Sequence, residues 1–256
     1  MNLRTLINSV LTPTGYAIHR SRTERMYSHD GLMTDHNHEF IRDPRFDTAY
    51  KRGVRAARTD YQVEWRTHIA LWAAITAGKL PGDFVECGVN WGFLSSAIME
   101  YLDWNKTNKT FYLLDTFHGL DEQLLNDEER TAGAVENGRK MLKSGMYNTD
   151  VETVRGNFSE WNNVKVIQGA VPGTLGQVAA DRVAYLHIDM NCAAPEVAAL
   201  EFFWPKLVPG AMVLLDDYGF RKHESQKRAM DECARQYGVM VASLPTGQGL
   251  IIKPAI

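Results

Sequence analysis

Five short apolar runs, at residues 83–88, 110–115, 164–169, 183–189 and 210–216, constrain the fold more than any other feature, and each ends in a polar residue or glycine. Helical patterns lie between them at 93–102, 136–142 and 195–207, the last opening on Pro195, which suits a first helical turn. Strands alternating with helices pair in parallel through right-handed crossovers, because a parallel neighbour needs a long connection. The expected architecture is α/β, a doubly wound, Rossmann-like sheet whose ligands sit outside the carboxyl ends of its strands.

A further helical stretch at 225–237 is followed by two more apolar runs, 239–243 and 249–253, with only Leu244-Pro-Thr-Gly-Gln248 between them. So short a link cannot hold a parallel crossover, so these two pair antiparallel. The sheet is therefore expected to be seven-stranded and mostly parallel with an antiparallel C-terminal strand, which departs from the all-parallel dehydrogenase sheet. Upstream, Val63, Trp65, Ile69, Leu71, Trp72 and Ile75 recur at helical spacing until Gly78 and Pro81 stop the pattern. Residues 1–60, dense in Arg, His and Asp, read as an N-terminal helical or loop extension serving as a lid or oligomer contact, and 61–256 as the main domain. His36 and His38 suggest a metal site, but a solvated or substrate-facing loop is the preferred reading.

With 45% hydrophobic and 23% charged residues there is no compositional case for disorder. A net charge of -3 supplies no long-range attraction toward nucleic acid, so no nucleic-acid partner is expected. No apolar run is long enough to span a bilayer, and the first apolar stretch is broken by Thr5, Asn8 and Ser9, so neither a membrane partner nor a signal peptide is expected and the chain is placed in the cytoplasm. Cys87, Cys192 and Cys233 are too scattered for a disulfide framework and read as buried, reduced thiols.

The first strand runs into the turn Glu86-Cys-Gly-Val-Asn-Trp-Gly92 and then a helix. Gly88 can make the tight turn, Gly92 allows close backbone approach, and Ser95 and Ser96 at the helix N-terminus favour an anionic group such as a carboxylate. Asp115 ends the second strand 27 residues after Gly88, where an acid commonly receives the hydroxyls of a ribose. Thr116 beside it belongs to the same expected site, although Thr116 and Asp121 could equally cap a helix. In the third loop, Ala170 and Val171 could pack on an adenine whose edge Gln168 bonds, with Gly169 between them; the rival is a plain turn at Pro172-Gly173. Together these residues indicate adenosine without choosing a cofactor.

Three carboxylates, Asp189, Asp216 and Asp217, converge on one rim of the fourth and fifth strands. Crowded like charges are costly without a cation, and oxygen ligands suit Mg²⁺. The alternative is that one Asp caps the next helix while another pairs with Arg221 or Lys222. A metal at this rim could act as Lewis acid on an acceptor hydroxyl, with Asp189 or a histidine as base. His187 shares the strand face of Asp189, and His118 and His223 are also available.

The strings Gly82-Asp-Phe-Val-Glu-Cys-Gly-Val89, Leu114-Asp-Thr-Phe-His-Gly-Leu120, His187-Ile-Asp-Met-Asn191 and Leu207-Val-Pro-Gly-Ala-Met-Val-Leu-Leu-Asp-Asp-Tyr-Gly219 together resemble the macrocin O-methyltransferase (TylF-like) family over about residues 60–253. The resemblance implies a class I methyltransferase using S-adenosyl-L-methionine and Mg²⁺ on a hydroxyl of a small-molecule acceptor, a sugar or natural-product intermediate, and assembly as a homo-oligomer. It also implies Glu86, Gly88 and Asp115 as cofactor ligands, Asp189, Asp216 and Asp217 as metal ligands, and Asp189 as base. The chain departs from the family pattern at Asn191 and Ala193, where a second Asp and a Tyr are frequent, at His118 in place of Glu, and in the turn Asn90-Trp91-Gly92-Phe93. Two rival readings are a nucleotide-dependent oxidoreductase and a non-catalytic S-adenosyl-L-methionine-binding protein. Residues 121–163 are expected to cover the site, with Tyr147 and Trp161 as an aromatic wall or as core.

Overall fold

The computed structural model describes residues 3–14 and 26–255. The chain divides into two compact units, Met1–Glu39 and Phe40–Ile256. In the first, helix α1 (Leu3–Leu11) exposes Leu3, Leu6 and Val10. Strands β1 (Tyr27–His29) and β2 (Leu32–Thr34) form an antiparallel hairpin. Its two-residue turn, Asp30-Gly31, has positive φ at both positions, which matches the right-handed twist of the strands. His38 Nδ1 lies 3.0 Å from the His36 carbonyl, a local turn contact, and neither histidine joins a metal-ligating group among the described residues.

The second unit opens with α2 (Pro44–Ala57), whose N-cap Asp43 accepts from the Arg45 and Phe46 amides while Pro44 occupies the first turn. After it come α3 (Glu64–Gly78), β3 (Asp83–Cys87), α4 (Phe93–Tyr101), β4 (Phe111–Asp115), α5 (Asp127–Thr131), α6 (Ala134–Ser144), α7 (Val151–Asn157), β5 (Val164–Gln168), β6 (Val183–Ile188), α8 (Ala193–Phe203), β7 (Leu207–Leu215), α9 (Glu224–Gln236), β8 (Ala242–Ser243) and β9 (Gly249–Ile252). The seven-stranded sheet runs β5-β4-β3-β6-β7-β9-β8. Strands β3 to β7 pair in parallel, and β9 is antiparallel to both β7 and β8, as the short link before it requires. The order reverses between β3 and β6, so the crevice for a ligand opens at their carboxyl ends.

All six residues of β6 are buried, as suits a central strand covered on both faces. Phe84, Trp104, Phe111 and Tyr185 pack edge to face and tilted in the core behind it, each such side chain contributing about 1.5–3 kcal/mol by its burial. Helix α2 buries Phe46, Ala49 and Tyr50, and Gly53 lets the Phe93 ring of α4 come so close that a Cβ there would sit 2.9 Å from it. The stretch from Phe40 onward, read by sequence as extension, is therefore part of the α/β unit.

Three local expectations shift. The run at 239–243 is a strand only at Ala242–Ser243, because the Val239 amide is already bonded to Ala234 O at the end of α9. Residues 121–163 hold α5, α6 and α7. The helix expected over the pattern that opens at Val63 begins at Glu64, after Gln62 at φ 57°. Cys87, Cys192 and Cys233 are free and buried, as expected, and no helix among the described residues is long and apolar enough to cross a membrane.

Candidate active site and metal centre

The tips of β3 and β6 touch. Gly88, at φ 93°, comes so close to the next strand end that a Cβ would lie 1.7 Å from the Asp189 carbonyl oxygen, so only glycine fits. The Gly88 amide bonds Leu114 O and the Asp189 amide bonds Cys87 O, each at 2.8 Å, which locks three strand ends together. Gly92 is also positioned by packing: its absent Cβ would meet the Phe158 ring at 2.5 Å.

Asp115 Oδ2 accepts from the Val89 and Asn90 amides at 2.7 and 2.8 Å, while Oδ1 accepts from the Phe117 amide at 2.7 Å. One carboxylate thus shapes both the glycine turn and its own loop, and still faces a cavity of about 730 Å³. Gly88, Thr116, Gly169, Ala170 and Val171 line the same cavity. Two expected cofactor residues, Gln168 and Ser95, line neither it nor the cavity beside it. Gln168 is exposed on the edge strand, because period-two alternation turns its neighbour Ile167 inward instead. Ser95 is fully buried beneath the turn, its Oγ without a partner.

A second cavity, of about 1260 Å³, adjoins the first and shares Gly88, Asn90, Tyr147, Asp189 and Asn191 with it. Glu86, Arg66, Asp216, Asp217 and His223 line it as well. The β-register pairs Glu86 directly with His187 and His187 with Leu214. His187 is 1% exposed, its Nδ1 lies 2.8 Å from Glu86 Oε1, and its Nε2 lies 3.7 Å from Asp216 Oδ1. Burial alone would lower its pKa, but the Asp216 and Glu86 carboxylates on either side prevail and push it up to about 10. The expectation that His187 takes a proton from the acceptor is corrected here: the ring lines neither cavity and lies buried between two carboxylates. His118 is exposed on the β4 loop, and Trp161 packs against Phe158 and under Arg52, away from both cavities.

Asp189, Asp216 and Asp217 each offer an oxygen within 4.8 Å of the others, the one such group among the described residues. Their charges are not equivalent. Burial raises Asp216, yet Arg66 and His187 outweigh it and hold that carboxyl well below its usual range. Asp189 and Asp217 are pushed up by burial and then by neighbouring carboxylates. The ion-pair partner is Arg66 of α3, with Nη1 2.6 Å from Asp216 Oδ2, rather than Arg221 or Lys222. Gln248 donates to Asp216 Oδ1 at 3.0 Å. Neither Arg66 nor Gln248 carries a local sequence signal; they reach the acid only because α3 and the link before β9 end at the same sheet rim. Asn191, at φ 59°, places Nδ2 3.4 Å from Asp189 Oδ1, donating where an acid would add a fourth negative charge.

The donor set suits a hard divalent cation: three clustered carboxylate oxygens, two of them disfavoured as anions until a positive charge arrives. An adenosyl sulfonium amino acid also fits. The first cavity joins apolar Leu114, Ala170 and Val171 to the Asp115 carboxylate, and in the second Glu86 Oε2 is buried with no hydrogen-bond partner, an acceptor suited to an ammonium group.

The family model described as macrocin O-methyltransferase (TylF) matches residues 66–241. The chain is 27% identical over 174 residues to 8-demethyl-8-(2,3-dimethoxy-alpha-L-rhamnosyl)-tetracenomycin-C 4'-O-methyltransferase of Streptomyces olivaceus, covering 64% of this chain and 62% of that one. It is 25% identical over 146 residues to mycinamicin III 3''-O-methyltransferase of Micromonospora griseorubida, covering 54% and 56%. The chain thus spans less than two thirds of the length of either curated relative. Among solved structures, the O-methyltransferase NovP superposes with a TM-score of 0.65 at 20% identity over 80% of this chain and 89% of that one. The calicheamicin methyltransferase CalS11 superposes with a TM-score of 0.55 at 16% identity over 82% and 93%. These two likenesses establish the fold, and the family match, which takes in β3 to β7 with the glycine turn and all three acids, establishes that the chain belongs to the macrocin O-methyltransferase (TylF) family.

Proposed function

We propose that this protein is an S-adenosyl-L-methionine-dependent, Mg²⁺-dependent O-methyltransferase acting on a hydroxyl of a small molecule, a sugar or natural-product intermediate. The observation that carries the reading is the position of Asp189, Asp216 and Asp217 at the β3/β6 switch point, on the wall of a cavity that adjoins the one lined by Asp115, Ala170 and Val171.

Asp115, with Thr116 beside it, holds the ribose; Gly169, Ala170 and Val171 form the wall for the adenine; and Glu86 Oε2 accepts from the amino group. When bound, S-adenosyl-L-methionine supplies an electrophilic methyl group, and Mg²⁺ lowers the pKa of the acceptor hydroxyl. Asp189 takes the hydroxyl proton, and Asn191, which donates to its Oδ1, orients it. Asp216 stays ionised through Arg66, His187 and Gln248, which makes it the standing anionic ligand of the set. His187 acts through Asp216 and Glu86 as a positioning residue.

The part of the N-terminal extension before Phe40 as lid or oligomer contact, assembly into a homo-oligomer, and cytoplasmic residence belong to the same proposal. Exposed Leu3, Leu6 and Val10 on α1 support the second point, and three free cysteines suit a reducing compartment. Family membership leaves the oxidoreductase reading unsupported. Calorimetry with S-adenosyl-L-methionine and with Mg²⁺, followed by a screen of hydroxylated sugars and aglycones for S-adenosylhomocysteine release, tests the whole. Saturable binding of both and loss of turnover in Asp216→Ala are expected. Full activity of that variant in chelator would overturn the metal mechanism, and cofactor binding without metal binding or turnover would favour the non-catalytic reading.

A further inference from the structure

A third cavity, of about 1150 Å³, adjoins the second, and Asn137, Tyr147, Asn191 and His223 line both. Its wall carries Lys140 of α6 together with Arg221 and Lys222 from the turn between β7 and α9. Among the described residues none of these three cations lies within ion-pair distance of a carboxylate. Two acids share the wall, Glu129 and Glu136. Glu129 is buried and already committed: Oε1 accepts from the Ala193 amide at 2.7 Å and Oε2 from the Asn126 amide at 2.9 Å. Three cations thus face one uncommitted carboxylate, in a chain whose net charge is -3.

The wall is also anchored. Gln226, 3% exposed, accepts from His223 Nδ1 and donates to Glu196 Oε1 at 2.7 Å, and the same Glu196 oxygen accepts from the Met190 amide at 3.1 Å. A carboxylate oxygen only accepts, so the Gln226 amide faces it with nitrogen, its oxygen faces His223, and the His223 Nδ1 carries the hydrogen. The chain of bonds ties the basic turn to the residue beside Asp189. Lys222 itself sits at φ 74°, a conformation that a residue with a Cβ keeps only where its surroundings enforce it.

We propose that this third cavity is an anion subsite and that the acceptor is a phosphorylated sugar, with its phosphoryl group remote from the hydroxyl that receives the methyl group. The inference rests on the methyltransferase reading above. The two adjoining cavities are oppositely charged: the acid cluster draws a cation and the hydroxyl it binds, while the Arg221 fork and the two lysines draw the phosphoryl oxygens. An acceptor with a neutral end and an anionic end can then enter in one orientation only.

The test uses the full chain and an Arg221→Gln, Lys222→Gln double variant at these exposed positions. Calorimetry with inorganic pyrophosphate in magnesium-free buffer reads the subsite without turnover. Saturable binding is expected, weakened at least ten-fold in the double variant and by added salt, with S-adenosyl-L-methionine affinity the same in both proteins. A hexose 1-phosphate and the corresponding nucleoside diphosphate hexose, each compared with the free hexose, distinguish one phosphoryl from two, and tighter binding of either supports the subsite. No pyrophosphate binding at millimolar concentration, or equal binding by the double variant, overturns it. Failure to bind S-adenosyl-L-methionine would instead overturn the methyltransferase reading while the pyrophosphate result stands on its own.

Discussion

Asp189 and Asp216 belong to one cluster yet are driven in opposite directions, because Asp216 has Arg66 in a 2.6 Å ion pair and His187 beside it. Removing Arg66 takes the nearest cation from a buried carboxylate, so Arg66→Met is expected to cost roughly 3 kcal/mol of stability in chelator. Mg²⁺ replaces the missing charge, so chemical denaturation with and without the ion should show the variant gaining more from Mg²⁺ than the wild type. His187 has its own pH signature. Its folded pKa of about 10 lies above the ordinary histidine value of about 6.5, so the folded state holds the extra proton between them. The stabilisation is full below pH 6.5 and lost as pH rises toward 10; His187→Asn in chelator should remove that slope from unfolding free energies measured across this window. At Gly88, a methyl group would meet the Asp189 carbonyl and force a φ of 93° on alanine. Gly88→Ala is expected to lose more than about 3 kcal/mol, read as a collapse in the yield of folded protein or in Tm. The requirement for glycine at 88 was legible in the sequence, but its reason was not: the close neighbour is the chain's own strand end.

Between elements, the glycine turn and the segment joining α6 to α7 are fastened together. Asn90 Nδ2 and Trp91 Nε1 both donate to Met146 O, at 3.0 and 3.1 Å, and the Asn148 amide donates back to Asn90 Oδ1 at 2.8 Å. This strap carries Tyr147 to the junction of all three cavities. Asn90→Ala removes two of the three ties, each contributing on the order of 1 kcal/mol. Hydrogen exchange at 146–148 should speed up at least five-fold, with a weaker affinity for S-adenosyl-L-methionine and no comparable change in the strands. The parallel strands were readable because buried central strands leave continuous apolar runs. Helix α6 was foreshadowed by the helical pattern at 136–142, whereas α5 and α7 were harder to place, since they bury few residues on a regular face. Strand β8 shrank for a related reason: a backbone amide committed to a helix end cannot also serve a sheet ladder.

Over the whole molecule, the sheet order brings Glu86, Asp115, Asp189 and Asp216 to one edge from four different strands or strand ends. Metal binding to such a preassembled rim stabilises the folded chain by mass action, by about 2.7 kcal/mol at a hundred-fold excess over Kd. Mg²⁺ should therefore raise Tm by several degrees and chelator reverse it, an effect absent in an Asp189→Asn, Asp217→Asn double variant. By itself the sequence determined the strand and helix alternation, the antiparallel end and the three acids, because burial and connection length are written in residue type and spacing. Tertiary structure alone decided that Arg66 and Gln248 serve Asp216, that His187 is sealed behind the site, that Gln168 and Ser95 stand outside it, and that a basic wall faces the acidic one. Those outcomes depend on which distant side chains a twisted sheet and its covering helices bring to the same few ångströms, and no local pattern records that.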